Sequence, residues 1–106
     1  MNKRIRKKQL KKAKVYVDPK ETWDLDISLA KYILPRLKAF KKNTTGYPCS
    51  LSSMDEWYGI LDKMILTFTY ITEGFIFESE PYENGLMEKV EEGLELFRQY
   101  YFNLWI

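Results

Sequence analysis

The sequence predicts an all-α protein, a small three-helix bundle with a basic N-terminal arm, and three observations carry that prediction. Apolar side chains recur at spacings of three and four in three separate stretches, the period of a helix with one buried face. Segments rich in glycine, proline, serine and acid punctuate them. The chain has 106 residues, of which 45% are hydrophobic and 16% aromatic, enough for one core and too few for two. Residues 1–14 read as an arm and residues 15–106 as a single helical domain.

The arm, "MNKRIRKKQLKKAK", carries eight basic side chains and no acid. The remaining ninety-two residues sum to −6, so the overall +2 hides two unlike regions. "VYV" at 15–17 follows, then the polar "DPKETWDLD".

The first helix is expected over "DISLAKYILPRLKAFKK", residues 26–42. Ile27, Ala30, Ile33, Leu34, Leu37 and Phe40 form its buried stripe. Asp24 or Asp26 suits the start, and Lys41 with Lys42 suits the negative end of the helix dipole. Pro35 lies inside the stripe and should kink or split the helix near Leu34. "NTTGYPCSLSS" then reads as a loop.

Ser53-Met54-Asp55-Glu56 is a capping box, in which serine and glutamate satisfy orphan backbone donors at a helix start. Behind it Trp57, Ile60, Leu61, Met64, Phe68 and Ile71 form the stripe of a second helix. "LTFTYIT" also alternates like a strand, but the helical period covers more residues. Gly74 suits the end of this helix. "FIFESEPYENG" is an acidic connection, and its "FIF" with the earlier "VYV" admits a minor two-stranded β pairing.

The third helix is expected from about Asn84 to the C-terminus. Met87, Val90, Leu94, Phe97, Tyr101 and Leu104 make a heptad stripe. Gly93 inside it costs about 1 kcal/mol against alanine, which points to close approach of a neighbouring helix. Tyr100, Phe102 and Trp105 fall off the stripe. Either this is the central helix, wrapped by the other two and Trp23, or these aromatics anchor an interface or a homo-oligomer.

The chain contains no histidine, so it has no imidazole base, relay or metal ligand. Its single cysteine, Cys49, has no histidine to activate it and no partner for a disulfide, which suits a reducing, cytoplasmic setting. No glycine-rich phosphate loop and no Cys-x-x-Cys pair occurs. No apolar run approaches the roughly 20 residues that span a bilayer. We therefore expect a non-enzymatic protein without cofactor, metal site or membrane association.

Two charged features remain. Lys3, Arg4, Arg6, Lys7, Lys8, Lys11 and Lys12 can hold phosphates, and without aromatics among them such binding would be blind to sequence. A solvated terminus is the plainer reading. Glu88, Glu91, Glu92 and Glu95 lie on one side of the third helix. Carboxylate rows of this kind hold divalent metals in helical nucleotide pyrophosphohydrolases, with acids from two helices. Asp55, Glu56 and Asp62 do not supply a matching spacing. A solvated face, or a row that imitates nucleic-acid phosphates before a basic partner, fits better.

"WDLDISLAKYILPRLKAFKK", "GYPCSLSSMDEWYGILDKMI" and "EGLELFRQYYFNLW" resemble a set of small proteins of bacteriophages and prophages, from about Trp23 to Trp105. The resemblance implies a phage context in a bacterial host cell and transfers no activity. Phage proteins of this size without catalytic equipment are commonly inhibitors or modulators of host, defence or phage proteins. The expected function is therefore partner binding through Tyr100, Phe102, Trp105 and the four glutamates. Nucleic-acid binding through the arm is the alternative.

Overall fold

The structure, a computed structural model, describes residues 16–73 and 85–105. A short 3-10 turn, Pro19–Thr22, precedes three helices: α1 Leu25–Asn43, α2 Met54–Thr72 and α3 Leu86–Tyr100. A second 3-10 turn, Tyr101–Asn103, follows α3 directly. No strand occurs among the described residues, so the fold is the expected three-helix all-α bundle. The "FIF" half of the β pairing and Gly74 lie outside the described residues.

Asp18 accepts from the backbone N–H of Lys20 at 3.0 Å and so fixes the turn that leads into α1. Asp24 stands at the N-cap of α1 without a side-chain cap bond, while Asp26 sits in the first turn. The expected split at Pro35 does not occur, and α1 runs on through it. Both Lys31, whose carbonyl loses its usual donor, and Pro35 are exposed, so water can serve that carbonyl. Lys41 ends the helix in an ion pair with Asp62 of α2 at 2.6 Å.

The capping box starts α2. Ser53 Oγ accepts from the Glu56 N–H at 3.3 Å. Glu56 returns to the Ser52 N–H at 3.2 Å, one residue earlier than the usual box. The alternation in "LTFTYIT" does not produce a strand, and the helix continues to Thr72. Thr67 and Phe68 are both buried there, so the stretch is covered on more than a single strand-like face.

The central helix is α2, not α3. Both α1 and α3 pack along α2 and barely touch one another. Trp57, Leu61, Met64 and Thr67 are fully buried, and Trp57 is 0% exposed. Its ring meets Phe40 of α1 edge-on at 6.3 Å and Tyr100 of α3 at 5.6 Å. One indole thus joins all three helices, and burial of such a side chain stabilises a core by about 3–5 kcal/mol. Further along, Phe68 meets Phe97 at 5.1 Å.

The seam of α3 differs from the expected one by a single step. Val90, Gly93 and Tyr100 are buried, with Leu86, Phe97 and Leu104 packed against the core. Leu94 and Tyr101, expected inside, are exposed. Gly93 is the cause. A Cβ there would lie 2.8 Å from the Lys63 carbonyl oxygen and 2.6 Å from Thr67 Cβ, closer than side chains tolerate. Only glycine lets α3 approach α2 at this point, and the approach centres the buried face on residue 93. The Thr67 hydroxyl seals the contact by donating toward the Lys89 and Val90 carbonyls at 3.3 and 3.5 Å.

Candidate functional site

Three surface features follow from this packing: a groove, an aromatic tip and an acidic flank. The groove exists because α1 and α3 lean on α2 without closing on each other. One end is a hollow of about 250 Å³ lined by Tyr32, Ile33, Leu37, Phe40, Phe97 and Leu104, with Arg36. The other end, about 300 Å³, is lined by Asp26, Ile71, Met87, Val90, Glu91 and Leu94. Since 26, 33, 36 and 40 share a flank of α1 and 87, 91 and 94 share a flank of α3, the two hollows form one trough.

Exposed apolar side chains continue beside the hollows. Leu25, Leu29 and Tyr32 follow each other on α1 at spacings of four and three and are all exposed. Leu94 on α3 and Tyr101 just after that helix, seven positions apart, are exposed as well. The remaining basic residues of the α1 body, Lys31, Lys38, Lys41 and Lys42, fall on the opposite flank of that helix. Arg36 alone turns to the groove, where its guanidinium carbon lies 3.6 Å from the Tyr32 ring centre. It also donates to the Tyr32 carbonyl at 2.9 Å. This wall was not among the sequence-predicted site residues, although the Leu25-Leu29-Tyr32-Arg36 spacing announces a second stripe.

The aromatic tip is formed by the residues after α3. Phe102 is 86% exposed and Trp105 is 78% exposed. Tyr100, the third expected anchor, is a correction: it is 8% exposed and belongs to the core against Trp57. Position 100 lies seven residues beyond Gly93, so the shifted seam carries Tyr100 inward. Trp23, expected to help wrap α3, is exposed instead.

The four glutamates do not act as one row. Glu88, Glu92 and Glu95 stand on the outer side of α3, and Glu91 turns toward the groove. Glu92 pairs with Lys63 of α2 at 2.6 Å. Glu95 is gripped by Arg98, whose Nε donates to both carboxylate oxygens at 3.0 and 3.1 Å. That hydrogen bonding, reinforced by the guanidinium charge, holds the Glu95 carboxyl below the usual carboxylate range and raises Arg98. Both side chains are largely exposed, where such a pair adds little stability.

Among the described residues no group of three or more possible metal ligands converges. No helix among them is long and apolar enough to cross a membrane. Lys3, Arg4, Arg6, Lys7, Lys8, Lys11 and Lys12 lie outside the described residues. Comparison with protein-family models, curated proteins and solved structures gives no match for this chain.

Proposed function

We propose that this chain is a non-enzymatic interaction protein of the phage type, which binds and modulates a protein of the host, of a defence system or of the phage itself. The observation that supports it most is the tip, where Phe102 and Trp105 stand 86% and 78% exposed just after α3. Large aromatic side chains in water at the end of a rigid element are the residue types that dominate interface energetics. Glu88, Glu91, Glu92 and Glu95 stand farther back along α3, where Glu92 and Glu95 already pair with Lys63 and Arg98, so a basic patch on the partner would meet Glu88 and Glu91.

The test is affinity capture from host lysate with and without nuclease. A protein retained after nuclease treatment, and lost with Phe102→Ala and Trp105→Ala together, supports this function. Capture that the double variant leaves intact refutes it. A second reading rests on the +8 charge of residues 1–14. Under it the protein is a sequence-blind nucleic-acid accessory, and deletion of residues 1–14 abolishes a retention that fades steeply with salt.

A further inference from the structure

The groove between α1 and α3 has a polarity along its length. One end carries two carboxylates, Asp26 and Glu91. Farther along, the guanidinium of Arg36 lies over the Tyr32 ring, with Phe40 and Leu104 beyond it. Between the carboxylates and Arg36 the lining is Ile33, Val90 and Leu94, and around Arg36 it is Leu37 and Phe97, all apolar.

Neither charge is neutralised by an ion pair among the described residues. The three ion pairs of the described residues join Lys41 to Asp62, Lys63 to Glu92 and Arg98 to Glu95, and none involves Asp26, Arg36 or Glu91. Asp26 and Arg36 are ten positions apart on one helix, about 15 Å along its axis, and cannot reach each other. A trough that is negative at one end, positive about 15 Å farther along and apolar between matches a ligand with the same features reversed. The groove-facing flank of α1 is such an object when turned end for end.

We infer that the groove is the seat of a second copy of this chain, in a twofold dimer built around antiparallel α1 helices. Pairing Arg36 with Asp26 of the other copy fixes the register, because facing positions then sum to a constant. Leu29 meets Ile33 of the other copy in that register, and Ile33 meets its Leu29. Each apolar side chain left half in water by one chain is covered by the other. Since Asp26 and Glu91 share one end of the groove, the incoming Arg36 arrives between two carboxylates. The twofold axis repeats both contacts, so the interface is self-complementary without any further partner. Its register is set by Asp26, Arg36 and Glu91 and calls on neither Phe102 nor Trp105. The inference therefore goes beyond the proposed function and stands or falls apart from it.

Charge reversal on the full-length chain, followed by light scattering after size exclusion, tests this. The wild-type chain should have twice the 12.8 kDa of one copy. Arg36→Glu alone, and Asp26→Lys with Glu91→Lys, should each run as single chains with unchanged helical circular dichroism. Mixed in equal amounts, these two variants should recover the double mass, since each then meets opposite charge. Leu29→Glu provides a second, charge-independent way to open the seam and should also give single chains. Phe102→Ala with Trp105→Ala should leave the dimer intact. A monomeric wild type, reversal variants that stay dimeric, or a mixture that fails to recover the dimer would each overturn the assignment.

Discussion

Replacing Gly93 with alanine sets two physical effects of opposite sign against each other. In an isolated helix the change stabilises by about 1 kcal/mol, because glycine loses more backbone freedom on folding. Here the new methyl meets Thr67 Cβ at 2.6 Å and the Lys63 carbonyl oxygen at 2.8 Å, and the Thr67 hydroxyl closer still. Thr67 is buried and cannot move aside without giving up its bonds to the Lys89 and Val90 carbonyls. Forcing an extra carbon into a packed seam costs about 1–3 kcal/mol. Leaving a buried hydroxyl without its acceptor costs a further 1–3 kcal/mol or so. Against the gain in propensity, we expect a net loss of about 2–3 kcal/mol, or roughly 10–20 °C in Tm. Gly59, on α2, is the matched control, since an added Cβ there meets nothing within 4 Å. Gly59→Ala should hold or raise Tm by a few degrees. Thermal unfolding followed by circular dichroism reads both. If Gly93→Ala is as stable as the parent, the close approach of α2 and α3, and with it the shifted seam, is refuted.

Two further perturbations probe the core and the surface. Trp57 is wholly buried, yet its Nε1–H has no hydrogen-bond acceptor among the described residues. Trp57→Ala should cost about 3–5 kcal/mol in chemical denaturation, whereas Trp57→Phe, which also removes the unpaired donor, should cost less than half as much. Equal losses would show that the indole N–H is satisfied in solution. Glu95 should titrate below ordinary glutamate in carboxyl-carbon NMR, and Arg98→Gln should return it to the ordinary range. Because its folded pKa is lowered, any stability it contributes is present above the ordinary value and fades as pH falls through the lowered one.

Much of the fold is legible because its signals are local. The capping box at Ser53 and the stripe from Trp57 to Ile71 mark α2 without reference to anything distant. The order of packing is not local. Counting apolar residues on α3 selects Met87, Leu94 and Tyr101 as the centre of its face, since each is large and regularly spaced. The actual centre is Gly93, which contributes no apolar area and so never enters such a count. What it contributes is absence of volume, and that matters only once Lys63 and Thr67 of α2 are in place. The same step moves Tyr100 from surface to core and leaves Leu94 on the groove and Tyr101 exposed. Pro35 misleads for the converse reason. A local rule kinks or breaks the helix there, while the packing of Ala30 and Leu37 on either side keeps it continuous.

That displacement also explains why the chain has two apolar faces on α3 instead of one. A helix with a single stripe buries it and is finished. Here the seam through Val90, Gly93 and Tyr100 is taken by α2, and the stripe through Met87, Leu94 and Tyr101 remains for something else. Apolar residues scattered singly over a surface need no occupant. These lie across from a second such row on α1, with the negative charges at one end of the trough and the positive one farther along. A twofold pair seated there has a consequence for the aromatic tip. Antiparallel α1 helices send the two α3 C-termini in opposite directions, so each dimer carries Phe102 and Trp105 at both extremities. A target that is itself twofold, or repeats along a filament, would then be held at two points. The second contact forms at the high effective concentration set by the first. Weak capture by one tip becomes firm capture by two, and the Arg36→Glu chain, with its tip intact but its seam opened, should bind such a target far more weakly than the parent.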